Sequence, residues 1–152
     1  MVIVEPAAII DAAAILDLQK LCYQGEAALY GDLHIPPLTE TEQDLRSEFA
    51  GRVFLKAVDN GVIVGSVRAH VDKGTCLIGR LFVHPDLQNR GIGTKLMREI
   101  EKRFPLADRY ELFTGDKSKK NIRLYRKLGY REFRREPVSP RLALVYMEKE
   151  AR

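Results

Sequence analysis

Between Cys76 and Phe104 the residue types and their spacing suit the binding of an anion. Gln88-x-x-Gly91-x-Gly93 follows the strand-like stretch Cys76–Val83 and opens a helix whose apolar positions recur at Ile92, Leu96, Ile100 and Phe104. The first N–H groups of a helix have no partner inside it, and the helix dipole is positive there. Glycine at 91 and 93 removes the Cβ atoms that would hold an anion away, so a phosphate is the ligand to expect. Two other phosphate motifs fail. A P-loop requires Gly-Lys-Ser/Thr, whereas Gly93-Thr94-Lys95 reverses the last two and lacks the earlier glycine. A dinucleotide fingerprint needs a third glycine where Leu96 stands. No Ser/His/Asp or Cys/His nucleophile set stands out, and no metal-ligand spacing appears.

The elements that must position this turn follow from periodicity and breakers. Val2–Val4 predicts an edge strand ending at Pro6. Ile10, Ala14, Leu18 and Leu21 predict one helical face, with Asp11 as a cap and the pattern running to about Ala28. Gly31 and Pro36-Pro37 predict a loop, and Thr39 with Glu42 a capping box that starts a short helix to about Phe49. Arg52–Val58 and Val62–Val71 form a hairpin through Asp59-Asn60-Gly61, and Lys73-Gly74 makes a second hairpin into the central strand. After a helix over about 91–103, Pro105 forces a stop. Arg109–Thr114 then returns by a helical crossover, parallel to the central strand. Ser118–Leu128 is a helix closed by Gly129. Tyr130–Arg134 and Leu142–Glu148 are final strands separated by a Pro137–Pro140 loop.

With 152 residues, 45% hydrophobic and 30% charged, the chain reads as one globular α/β (α+β) domain with a sizeable core. Met1–Pro6 lacks a signal peptide's features and no apolar run approaches a membrane span, so no membrane partner is expected. Cys22 and Cys76 fall in a predicted helix and strand, which suits buried thiols in a reducing cytoplasm. Residues 1–50 hold nine acids against Lys20 and Arg46, a balance of −7, and the remaining 102 residues balance at +11. A basic half suits a polyanion. Nucleic acid is the weaker choice, because no groove-entering motif or aromatic stacking platform accompanies the charge.

Leu-x-Val-x-Pro-x-x-Gln-x-x-Gly-x-Gly, on Leu81 to Gly93, resembles the acyl-CoA signature of the GNAT family, the Gcn5-related N-acetyltransferases. Asn121-Ile122-Arg123-Leu124-Tyr125-Arg126-Lys127-Leu128-Gly129-Tyr130 is similar to a second segment of that family, Asn-x-x-x-Tyr-x-Lys-x-Gly-Phe/Tyr. The resemblance runs along essentially the whole chain. It implies a mixed, mostly antiparallel sheet with a splayed central parallel strand pair and about four helices. It also implies acetyl-CoA as cosubstrate, no metal, and acetylation of a small-molecule or peptide amine by direct attack in a ternary complex, with a homodimer compatible. A CoA-responsive binding module without turnover is the alternative.

Residue by residue, the resemblance makes Gln88, Asn89, Arg90, Gly91, Ile92, Gly93 and Thr94 neighbours of the CoA pyrophosphate. It makes the backbone of Leu81, Phe82 and Val83 the partner of pantetheine, and groups Asn121 and Lys127 with the cofactor. Lys117, Lys119 and Lys120 are set beside the ribose phosphate or on a solvated face. Tyr125, on one helical face with Asn121, becomes the acid that protonates the departing thiolate. The general base stays open among Glu26, Glu111, His34, His70 and His84, because residues 75–83 carry no carboxylate. In the family the first two helices wall the acceptor site, which assigns Glu26 and Tyr30, with Asp32 and His34 nearby, to the substrate. An acidic wall there predicts a cationic amine, while Arg68, Arg80 and His70 predict an anionic group on the acceptor.

Overall fold

Two tight turns and two helical crossovers fix the sheet. In the computed structural model, which describes residues 1–151, β1 (Val2–Pro6) leads through a 3-10 turn (Ile9–Asp11) into α1 (Ala12–Tyr30), α2 (Pro36–Thr39) and α3 (Glu42–Glu48). A meander of β2 (Val53–Asp59), β3 (Val62–Asp72) and β4 (Thr75–Val83) follows, its hairpins turning at Asn60-Gly61 and Lys73-Gly74 with positive φ at all four residues. Then come α4 (Ile92–Lys102), β5 (Arg109–Gly115), α5 (Lys119–Lys127), β6 (Arg131–Ser139) and β7 (Leu142–Glu150). The strand order is β1-β2-β3-β4-β5-β7-β6, and β4 with β5 is the parallel pair.

That pair holds together only at its start. Thr75, Cys76 and Leu77 face Arg109, Tyr110 and Glu111, and the strands part beyond them. β4 stays paired with β3, and β5 with β7 along its whole length, so the gap opens inside an otherwise continuous sheet. A bulge in β4 lies beside the gap. The register passes from Arg68↔Gly79 to Ser66↔Phe82, so Arg80 and Leu81 oppose the single Val67. Arg80 takes φ +52, a left-handed conformation that costs a non-glycine residue about 1–2 kcal/mol. The bulge also exchanges the faces of the strand. Cys76 and Ile78 pack in the core beneath α4 and α5, whereas Phe82 packs in the second core with Ile15, Leu16, Leu18 and Leu45.

Several boundaries differ from the sequence expectation. The buried side of α1 is Ala12, Ile15, Leu16, Leu18, Gln19, Ala27 and Tyr30, while Ile10 and Leu21 are exposed. Ile10 belongs to the preceding 3-10 turn, and polar Gln19 and Glu26 occupy positions that an apolar search passes over. Asp11 caps that 3-10 turn, accepting from the Ala8 N–H at 2.8 Å and pairing with Lys56 at 3.0 Å. The capping box of α3 is Thr41 with Asp44, not Thr39 with Glu42; Thr39 closes the one-turn helix that Pro36-Pro37 begins rather than prevents. β6 runs on through Pro137, where the predicted loop gives way to an edge strand that needs no N–H from proline.

α1 and α3 are pinned to the sheet by a buried ionic cluster. Arg68 on β3, 5% exposed, bonds Glu48 at 2.9 Å, Glu40 at 3.2 Å and Gln19 at 2.6 Å, and Gln19 also donates to Glu40 at 2.8 Å. Arg52 holds the other side of Glu48 at 3.1 Å. Burial and the neighbouring Glu40 raise Glu48, whereas Glu40 is held at about 2, because bonds from Glu48 and Gln19 and the Arg68 charge outweigh its own burial. A carboxyl lowered on folding adds stability that is complete above its ordinary value of 4.5 and is lost as pH falls towards 2. Urea midpoints for Glu40→Gln should therefore lose the acid-limb slope of the parent protein. Arg68→Met removes the charge partner of Glu40, leaves Glu48 to Arg52 alone, and should cost about 3–5 kcal/mol at neutral pH.

Candidate active site

The end of β4, the loop after it, the inner side of α1 and the first turns of α4 and α5 enclose a groove of about 260 Å³. It lies outside the carboxyl ends of two parallel strands, where the N-termini of both crossover helices also point. Leu81, Phe82 and Val83 form one wall, and Gln88, Asn89, Gly91, Ile92, Gly93 and Thr94 the end. Lys120, Asn121 and Leu124 come from α5, and Cys22, Tyr23 and Glu26 from α1. Asn89 and Gly91 both have positive φ, which curls the loop before α4 starts at Ile92. The first bond of α4 runs from Lys95 N–H to Gly91 O, so the N–H groups of the residues between them are free of helical partners. The Val83 carbonyl, at the end of the unpaired edge, accepts only the Cys22 thiol at 3.3 Å and the Gln88 amide at 3.4 Å among the described residues. Such an arrangement fits an extended amide-bearing ligand ending in phosphate: unpaired strand edges for the amides, open helical N–H groups for the anion.

The inner wall is a polar line on α1. Gln19, Tyr23, Glu26 and Tyr30 are spaced four, three and four residues apart and face the sheet. Glu26 accepts a short hydrogen bond from the buried Ser118 hydroxyl. Tyr30, itself buried, accepts from the Lys117 N–H at 2.9 Å and sits 3.4 Å from the Ser118 hydroxyl. Its ring end presses on Gly115, where any Cβ would collide with the phenol oxygen. Tyr30 therefore holds α1 against the start of α5 and fixes Ser118 under Glu26. Burial pushes the Tyr23 phenol and the Cys22 thiol each up to about 12, so both stay protonated at neutral pH.

Of the residues singled out in the sequence, Glu26, Leu81, Phe82, Val83, Gln88, Asn89, Gly91, Ile92, Gly93, Thr94 and Asn121 converge on the groove. Arg90 lines a shallower neighbouring hollow with Val2, Asp59 and Lys95, and Lys127 is exposed at the far end of α5. Tyr125 is buried behind the groove, edge-on to Tyr130 with ring centres 6.1 Å apart. Burial, with Tyr23 and Glu26 nearby, pushes its phenol above the ordinary range. The alternative bases are elsewhere. His84 accepts the Asp86 N–H at 3.1 Å as a turn residue, Glu111 pairs with Arg109 at 2.9 Å, and exposed His34 sits 3.7 Å from Asp32. His70, its imidazole lowered first by burial, lies outside the groove lining. Tyr23, Ser118 and Leu124 carry no motif signal; only the α1 spacing of Tyr23 to Glu26 and Tyr30 hinted at the first. Among the described residues no group of three or more His, Cys, Asp or Glu gathers as for a metal, and no helix is long and apolar enough to cross a membrane.

Fold and groove together define an acyl-CoA type of acetyltransferase architecture. Residues 12–130 match the Acetyltransferase (GNAT) family, and the chain belongs to that family. The PaiA N-acetyltransferase of Thermoplasma acidophilum, whose structure is a complex with coenzyme A, superposes with a TM-score of 0.84 at 17% identity, covering 99% of each chain. The ribosomal-protein-S18-alanine N-acetyltransferase of Escherichia coli superposes with a TM-score of 0.82 at 16% identity, covering 99% of this chain and 94% of that one. In sequence, the chain is 29% identical over 124 residues to the UPF0157 protein YqkA of Bacillus subtilis (strain 168), a stretch covering 80% of this chain. It spans 35% of that protein's length.

The two glycines of the turn have separable roles. Gly91 has φ +81 and open space around its missing Cβ, so its need is conformational; a Cβ on Gly93 would touch Leu124 at 3.4 Å and Val83 at 3.9 Å inside the groove. Gly91→Ala should lower stability by about 1–2 kcal/mol in chemical denaturation. Gly93→Ala, in an ordinary helical conformation, should leave it equal or higher by up to about 1 kcal/mol.

Proposed function

We propose that this chain transfers the acetyl group of acetyl-CoA to a primary amine, which attacks the thioester directly while both are held in the groove. The observation that carries the reading is the parting of β4 and β5 after three residue pairs, with the Gln88–Thr94 turn at the mouth of the gap. The open N–H groups at the start of α4 would hold the pyrophosphate, aided by Gln88, Asn89 and Thr94. The free edge of Leu81–Val83 would hold the pantetheine amides in the manner of an added strand. Lys120 and Asn121 flank the same ligand from α5. Positioning of two reactants supplies most of the acceleration in such a reaction.

Two proton transfers remain for the protein. An amine acceptor is mostly protonated at neutral pH and must lose a proton before attack. Among the described residues Glu26 is the one carboxylate lining the groove, and Ser118 fixes its orientation, so it is the group to take that proton. Tyr125 is the donor to the departing thiolate. Its burial raises the phenol pKa, so Tyr125 is protonated at neutral pH and carries a proton to give. Among the described residues Glu26 is the one of the nine acids of residues 1–50 that lines the groove, and Glu40 and Glu48 pair with Arg68 and Arg52, which favours a local carboxylate over a broad acidic wall.

Thiol release from acetyl-CoA across a panel of amines tests the reaction, and no turnover with any amine would refute it. Gly91→Glu places bulk and negative charge where phosphate sits, so acetyl-CoA should no longer raise its Tm. Tyr125→Phe should lower kcat by roughly 10²-fold with little change in the KM for acetyl-CoA. An unchanged kcat across pH would return Tyr125 to packing.

A further inference from the structure

Arg80 combines three properties. It adopts a left-handed backbone conformation inside a central strand, at the bulge beside the gap. Its Nε is buried and is the one buried side-chain nitrogen or oxygen among the described residues that lacks a hydrogen-bond partner. Its side chain is nevertheless 24% exposed, so part of the guanidinium can be reached from outside. Glu40 does not satisfy it: the nearest oxygen is 3.9 Å from Nε, and both Glu40 oxygens already serve Arg68, with Gln19 on one of them. Cations are also in excess here. Arg52, Arg68 and Arg80 meet two carboxylates, Glu40 and Glu48. The surplus charge lies next to Tyr23, whose phenol it lowers against the effect of burial and which lines the groove one helical turn before Glu26.

An unpaired guanidinium donor, one surplus positive charge and a backbone strain maintained at the mouth are the features of a site awaiting an anion. We propose that Arg80 binds a carboxylate carried by the amine acceptor, so that the preferred acceptors are amino acids or other amines bearing a carboxylate. This rests on the acetyltransferase reading above and names its substrate class. The carboxylate would bond the terminal nitrogens of the guanidinium rather than the buried Nε, and Tyr23 would separate it from the amine, which faces Glu26. Charge contributes to reactivity as well: a cation near the bound ammonium favours its neutral, attacking form.

The experiment compares amino acids with their decarboxylated counterparts, such as lysine with 1,5-diaminopentane and phenylalanine with phenethylamine, by thiol release from acetyl-CoA. In the parent protein the carboxylate member of each pair should have at least a tenfold higher kcat/KM. Arg80→Gln should collapse that ratio towards one by raising the KM for the amino acid, and Arg80→Lys should restore part of it. Acetyl-CoA should still raise the Tm of both variants, which shows that they fold. Equal kcat/KM within the pairs, or a ratio unchanged in Arg80→Gln, would overturn the assignment. If no amine is acetylated at all, thermal shifts with the same pairs on the CoA-saturated protein decide separately. Stabilisation by amino acids that is lost in Arg80→Gln would keep the carboxylate site while the acetyl-transfer reading fails, and the absence of any such stabilisation would remove both.

Discussion

The groove depends on a hydrogen-bond ladder that stops early. Parallel strands ordinarily satisfy one another along their length, and an unpaired edge buried in a sheet is costly. Here β4 and β5 pair through Leu77 and Glu111 and then separate, while each remains locked to its outer neighbour. The separation is imposed from both sides. The bulge at Arg80 and Leu81 bends β4 and exchanges its faces, and Tyr30 wedges between α1 and Gly115 at the end of β5. A ligand with amides in an extended chain would restore what the sheet lacks, and the proposed cofactor site is this defect.

Keeping such a gap open requires a rigid frame, and α1 supplies it with polar side chains on its inward face. Gln19 joins the Arg68–Glu40 cluster at one end, and Tyr30 with Glu26 joins Ser118 at the other. Each of these groups would be costly to bury alone, and each is satisfied by a partner from a different element. The helix is thereby fixed in rotation as well as position, which places Tyr23 and Glu26 at the groove. An apolar stripe would bury α1 equally well and leave nothing there to handle a proton.

Legibility in the sequence followed the physics of each element. The Gln88–Gly93 turn, the two hairpins, the parallel return of β5 and the α4 stripe were all readable, because local periodicity and turn chemistry determine them. The face of α1 was not. Ile10, Ala14, Leu18 and Leu21 offer a plausible apolar stripe, yet the buried side carries Gln19 and Glu26, whose partners are 18 to 92 residues away along the chain. The bulge was hidden for a related reason: its register depends on β3, and nothing within Thr75–Val83 marks Arg80 as left-handed. Long-range satisfaction of polar groups escapes a local reading, and the elements that shape the acceptor side rely on it most.

The same point alters how the charge asymmetry should be understood. A segment at −7 beside one at +11 suggests two fields facing each other, an acidic wall for the acceptor and a basic bed for the cofactor. Folding pairs off part of the first field. Glu40 and Glu48 meet Arg68 and Arg52, Asp11 meets Lys56, and Glu42 lies 3.9 Å from Arg46. What remains near the inner groove is local: among the described residues one carboxylate, Glu26, lines it, and one incompletely paired cation, Arg80, lies at the β4 bulge next to the lining residue Leu81. Close, oriented groups of this kind discriminate by hydrogen-bond geometry and are weakly screened by salt, whereas a distributed field would act mainly on encounter rates and fade with ionic strength. On the proposed reading, acceptor selection is accordingly a matter of short-range fit along α1 and the β4 bulge, not of net charge.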